Sequence, residues 1–180
     1  MILRVFLFAY LQLLFSALSC QKKSEDCVYL LPQGFQGNVL IIFNQMDGKD
    51  ITYESGKRVY RIDTSGVLKT KFKENYGKHQ ALFYKVDEKD TRIALRYLLP
   101  SQVEAIPKSS NEIFIYNLES GKDFETALSR DRHFELFTVS TLGNLDSIGN
   151  SKDRFILKYL DNKILHLTRL PSWNSRLVSL

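Results

Sequence analysis

Cysteine is nearly absent from this chain: two residues in 180, beside 25 lysines and arginines and 20 acids. Two thiols cannot make a disulfide scaffold or fill a four-cysteine zinc site. Four prolines and nine glycines are too few for collagen-like, linker or low-complexity classes. The three histidines, His79, His133 and His166, are scattered, with neither the pairing nor the flanking glutamate of a metal motif. No metal and no cofactor is therefore expected. After the first nineteen residues no stretch reaches the roughly 20 apolar residues that a spanning helix needs. What remains is an ordinary folded composition, 44% hydrophobic and 25% charged, at a length that suits one domain with its own core.

The longest apolar stretch lies at the N-terminus. Arg4 gives a positive start, and Val5 to Leu18 is interrupted only by Gln12 and Ser16. That is too short for a permanent anchor and right for the core of an export signal. Ala17, Leu18 and Ser19 lead into Cys20. A cysteine directly after a small residue at the end of such a core resembles the bacterial lipoprotein signal, although Ala17 stands where many lipoproteins carry leucine. The resemblance implies that Cys20 is the lipid-attachment residue and the first residue of the mature chain. Palmitate-type acyl chains would then hold the protein at a membrane, each buried CH₂ contributing about 0.8 kcal/mol. It implies a cell-envelope location, and Gln21 beside the cysteine points to the outer membrane. The expected organisation is a signal peptide over 1–19, a polar tether over 20–26 and a single β-rich domain over 27–180.

Without its signal the chain has 24 basic and 20 acidic residues, a net charge of +4. That is far from the dense basic stripe of a nucleic-acid binder. Cys27 stands seven residues after Cys20, among Val28–Leu31, which reads as a strand; a buried free thiol is expected.

Beyond the tether, short apolar or alternating runs are broken by turn residues roughly every 8–12 positions, the pattern of an all-β sandwich or barrel. Asn38–Phe43 and Glu112–Asn117 are apolar on both alternating faces and read as central strands. In Val67–Lys73, Leu68, Thr70 and Phe72 take one face and Lys69, Lys71 and Lys73 the other. The lysine row reads as the solvated face of an edge strand, which lysine protects from aggregation; its functional alternative is contact with an anionic surface. Lys122–Arg130 has helical spacing, Asn144–Ser151 reads as a polar loop, and Arg154–Leu167 fits a hairpin around Asp161–Asn162 better than a helix. Glu-Ser-Gly-Lys occurs at Glu54–Lys57 and again at Glu119–Lys122, which reads as two similar turns. The predicted fold is mainly β: an antiparallel β-sandwich, immunoglobulin-like or similar, with at most one or two short helices, preceded by an N-terminal signal helix.

Residues 30–77 resemble an uncharacterised bacterial domain common in exported proteins. The carrying residues are Leu31–Gly37, Val39, Ile41, Tyr60–Ile62 and Gly66–Thr70. The resemblance implies a β-rich fold and no activity.

Catalytic motifs are missing. Asp63–Thr64–Ser65–Gly66 lacks the first glycine of a nucleophile elbow and precedes a strand. Gly56–Lys57 and Gly121–Lys122 lack the glycine and hydroxyl of a phosphate loop. Asp47, Asp50, Glu54 and Asp63 lie near turns where folding could pair them for glycoside hydrolysis. Asp87, Glu88 and Asp90 lack the glycine and terminal glutamate of a calcium loop. The expectation is a cell-envelope lipoprotein whose β domain is a non-catalytic binding or structural module. Its partners would be the membrane, through the lipid anchor, and an envelope protein or glycan, with no nucleic acid. An immunity or inhibitor lipoprotein and an exported hydrolase with an unrecognised carboxylate pair are the alternatives.

Overall fold

The computed structural model describes residues 24–77, 79–125 and 130–159. Nine strands follow one another: β1 (Cys27–Pro32), β2 (Gly37–Ile42), β3 (Tyr53–Glu54), β4 (Lys57–Arg61), β5 (Val67–Lys69), β6 (Ala81–Val86), β7 (Arg92–Tyr97), β8 (Phe114–Glu125) and β9 (Arg130–Ser140). Three short helices join them: α1 (Pro100–Val103), α2 (Leu145–Asn150) and α3 (Lys152–Tyr159), with a 3₁₀ turn at Leu142–Asn144.

The strands form one mixed sheet in the order β3-β4-β1-β6-β7-β8-β9-β2-β5. The mainly-β expectation holds; the antiparallel two-sheet arrangement does not describe this sheet. β1 runs parallel to both β4 and β6, β2 to β5, and β7 to β8. Alternation of apolar residues reports only that a strand has a buried face, so it cannot distinguish one curled sheet from two stacked ones.

The sheet curls until its ends meet. The segment Lys49–Glu54 closes the gap: Lys49 pairs with Thr70 after β5, its N–H donating to Lys69 and its carbonyl accepting from Lys71. Three residues on, the Thr52 carbonyl accepts from Val59 N–H at 2.9 Å, and β3 pairs antiparallel with β4 through a turn whose central residues, Ser55 and Gly56, both have positive φ. Inside the curl, one alternating face of every long strand builds a single core. Tyr29, Leu31, Val39, Ile41, Tyr60, Phe83, Ile115 and Phe137 are its main members. Tyr29 stacks on Phe83 at 4.6 Å and meets Phe137 edge-on at 5.5 Å.

The outer face is covered in patches. α3 places Ile156 on Leu40, Ile42, Phe134 and Leu136. α1, the 3₁₀ turn and α2 cover Leu98, Phe114 and Tyr116. Cover on both faces explains why β2 and β8 carry continuous apolar runs, as expected of Asn38–Phe43 and Glu112–Asn117, though β8 begins at Phe114.

Several expectations are corrected. Lys122–Glu125 belong to β8 and Arg130 to β9, in register across Lys122↔His133 and Glu125↔Arg130, so pairing overrides the helical spacing there. The second Glu-Ser-Gly-Lys is likewise strand, not turn, whereas the first is the β3–β4 turn. Leu145–Asn150 is helical rather than a polar loop. Lys152–Tyr159 is helix, so the hairpin does not start at Arg154; Asp161–Asn162 lie outside the described residues. The described residues therefore hold three short α-helices, more than expected. The signal helix also lies outside the described residues.

Candidate functional site

The polar groups inside the curl converge at one end. β9 turns Glu135 inward, opposite Ile41 of β2 and Ser120 of β8. Its residue is 6% exposed, and Tyr29 Oη donates to its Oε2 at 2.8 Å. Burial pushes the Glu135 carboxyl up to about 7, against the opposing effects of the Tyr29 hydrogen bond and the Arg58 charge. Burial, reinforced by Glu135, holds Tyr29 well above the usual phenol range.

Cys27 and Tyr60 complete this end of the core. Cys27 is a buried free thiol, as its strand context predicted. Its Sγ donates to the Glu25 carbonyl and accepts from Asn75 Nδ2 at 3.3 Å. Burial, with a smaller effect of Glu135, pushes the thiol up to about 12, which makes it a poor nucleophile at neutral pH. Tyr60 is 1% exposed, and its hydroxyl makes no well-formed hydrogen bond. Cys27, Tyr29, Tyr60, Asn75, His79, Ser120 and Glu135 border a cavity too narrow to admit a water molecule. A carboxyl, a thiol and two phenols thus stand together without room for a substrate.

Arg58 latches this end. Its Nε and Nη2 hold the Glu25 carboxylate, its Nη1 donates to the Lys73 carbonyl, and its guanidinium lies 4.8 Å from the Phe72 ring centre. One β4 side chain therefore joins the start of the domain to the segment that follows β5. Asn75 adds a second tie, accepting from Glu25 N–H at 2.9 Å and donating to the Glu25 carbonyl.

The acids singled out in the sequence meet elsewhere. Asp47, Asp50, Glu54 and Asp63 all line an open groove of about 1500 Å³, together with Asp87, Glu88, Arg61 and Arg92. Each of the four is engaged. Asp47 pairs with Lys69 at 3.3 Å and Asp50 with Lys71 at 2.6 Å. Glu54 takes a two-pronged grip from Arg92 at 2.8 and 2.9 Å, and Asp63 accepts from Ser65. Hydrogen bonding to Lys71 and to Arg92 holds Asp50 and Glu54 below the usual carboxylate range. A general acid in glycoside hydrolysis needs the opposite shift. Asp87 caps its own turn, accepting from Lys89 and Thr91 N–H, and Asp90 pairs with Arg61.

Lys69, Lys71 and Lys73 are exposed, alternating with buried Leu68, Thr70 and Phe72, and β5 stands last in the sheet order. His79 bonds the Gly77 carbonyl and His133 the Tyr76 hydroxyl. Among the described residues no three His, Cys, Asp or Glu side chains are grouped to hold a metal, and no helix is long and apolar enough to cross a membrane. Cys20 and His166 lie outside the described residues.

Sequence reasoning missed Glu135 and its neighbours. A signal was present: Glu135 interrupts the run Phe134–Val139, whose residues on both faces are otherwise apolar or hydroxyl-bearing. An acid within a strand buried on both sides has no solvated face to occupy.

The strands and their inner core thus define a closed-up, mainly β domain with a buried polar end. The chain belongs to a family of unknown function (DUF6843), which matches residues 23–140, from just before β1 to the end of β9. A solved structure from Bacillus anthracis, described as that of a candidate lipoprotein, is similar at 17% identity with a TM-score of 0.47; the match covers 78% of this chain and 100% of that one. No curated protein matches.

Proposed function

We propose that this protein is a lipid-anchored component of the cell envelope whose β domain binds or supports another envelope component without catalysis. The observation that carries the reading is the export-type apolar core ending at Cys20, only four residues ahead of Ser24, which is already packed into the domain at 7% exposure. A signal that ends where a fold begins is the arrangement a surface anchor needs. Residues 1–19 act as the signal peptide, and two acyl chains on Cys20 hold the mature protein at the membrane. Gln21 favours the outer membrane.

The non-catalytic part is supported by the state of the acids. The groove carboxylates are neutralised by cations or by their own turns, and the raised carboxyl of Glu135 faces a cavity without room for a substrate. A glycan or protein partner is the expected ligand class.

Replacing Cys20 tests the anchor. Cys20→Ser is expected to leave the chain unprocessed or to release it from membranes, and mass spectrometry of the wild-type N-terminus is expected to show an acylated cysteine. A Cys20→Ser protein that is cleaved and fractionates with membranes like the wild type would overturn the reading.

A further inference from the structure

Among the described residues, five large apolar side chains are prominently exposed: Met46, Ile51, Tyr53, Tyr76 and Ile93. Two of them stand beside the point where the chain toward Cys20 leaves the domain. The Tyr53 hydroxyl donates to Glu25 Oε1 at 3.1 Å while the residue is 49% exposed. Tyr76, 42% exposed, follows Asn75, which bonds the Glu25 backbone, and precedes Gly77, which is so close to Ser24 that an added Cβ would lie 2.7 Å from the Ser24 hydroxyl. Ile51, 51% exposed, lies two residues before Tyr53. Lys73 is exposed at the residue whose carbonyl Arg58 holds.

We propose that Ile51, Tyr53, Tyr76 and Lys73 form the face on which the domain lies against the phospholipid headgroups of the membrane that holds its anchor. The proposal rests on the lipid-anchor reading. Four residues, from Cys20 to Ser24, span at most about 14 Å, so an acylated Cys20 keeps this end of the domain within roughly twice the depth of one headgroup layer. The half-exposed rings of Tyr53 and Tyr76, whose hydroxyls are held by Glu25 and His133, offer apolar surface suited to that depth, and lysine reaches phosphate. Of the nearby acids, Glu25 is held by Arg58 and Tyr53 and Asp50 by Lys71, while Glu74 stands beside Lys73.

The test uses the full lipidated protein reconstituted in vesicles of phosphatidylethanolamine and phosphatidylglycerol. Ile51→Cys and Tyr76→Cys carry a nitroxide label, with Ile93→Cys as the reference. Ile93 pairs with Lys85 level with Leu31, about 13 Å along β1 from Cys27. The unsubstituted protein controls for labelling at Cys27. Labels at 51 and 76 are expected to collide severalfold less often than the label at 93 with a water-soluble nickel relaxant, and more often with oxygen. If the protein floats with the vesicles but all three labels collide alike, the proposed face is wrong while the anchor stands. If the protein bears no lipid and does not float, the anchor reading fails and the face falls with it. Ile51 makes no contact in the core, so its variant remains a usable probe even if Tyr76→Cys disturbs the turn at Ser24.

Discussion

Glu135 occupies a position where its strand neighbours on the same face, Phe137 and Val139, are core hydrophobes. Its carboxyl has one strong donor, Tyr29, and no ion-pair partner within contact distance among the described residues. The folded protein therefore favours the protonated form. The ordinary value of 4.5 becomes about 7 on folding, so the native state binds the proton more tightly than the unfolded chain. Stability is then complete below about pH 4.5 and falls as pH rises through 7, by an amount on the order of 3 kcal/mol from this group. Glu135→Gln keeps an acceptor for Tyr29 and removes the titration. Urea denaturation at a series of pH values should show the variant gaining on the wild type between about pH 5 and 8. Parallel curves would show that Glu135 does not titrate in that window. Phe134 and Leu136 supply an apolar face of the opposite phase, and only Phe137 and Val139 further along the strand betray that the face of Glu135 is buried too.

At the scale of elements, the closing segment Lys49–Glu54 and the covering helix α3 depend on contacts far away in the chain. The approach to the closing segment is tight at Gly48: a Cβ there would meet the Thr70 backbone at 2.7–2.8 Å. Backbone cannot rotate aside as a side chain can, so Gly48→Ala should push Lys49 off Thr70 and open the seam. The expected cost is about 1–3 kcal/mol, read as a lower denaturation midpoint, with faster amide exchange at Lys49 and Lys71, whose bonds close the seam. An unchanged midpoint would show that the seam has slack. For α3, Phe155, Ile156 and Tyr159 fit one helix face, whereas a strand would put Phe155 and Tyr159 on one side and Ile156 on the other. The outer apolar surface of β2 and β9 decides between them, because Leu40, Ile42, Phe134 and Leu136 need a cover about as wide as a helix. Lys122–Glu125 went the other way: their helical spacing lost to ladder hydrogen bonds with β9.

The whole molecule is a curled sheet with one interior, and that interior already holds a carboxyl. Ile41 is the direct register partner of Glu135 and is fully buried. Ile41→Asp would place two acids opposite each other in the core, where facing side chains stand about 4.5–5.5 Å apart. An unpaired buried charge costs several kcal/mol even after relaxation, comparable with the entire stability of a domain. The variant should lack cooperative unfolding by circular dichroism at neutral pH. Lys69, Lys71 and Lys73 changed together to Gln should fold normally, since their side chains are exposed and surface ion pairs contribute little. A folded Ile41→Asp protein, or an unfolded triple variant, would contradict this division into interior and surface.

The sequence by itself determined the predominance of strands, the burial of Cys27, and the two-faced apolar character of β2 and β8. Those properties are local: they depend on composition, run length and period-two alternation, which any short window displays. Only the tertiary structure decided that the strands form one mixed curled sheet. Parallel pairing and closure depend on partners tens of residues apart, and alternation is the same whichever neighbour a strand takes. For the same reason only the fold could bring Cys27, Tyr29, Tyr60 and Glu135 to one end of the core and gather Asp47, Asp50, Glu54 and Asp63 into a groove beside the cations that neutralise them. It also decided that Tyr53 and Tyr76, 23 positions apart, flank the same residue pair, Ser24 and Glu25, because Arg58 and Asn75 bind Glu25 across the seam.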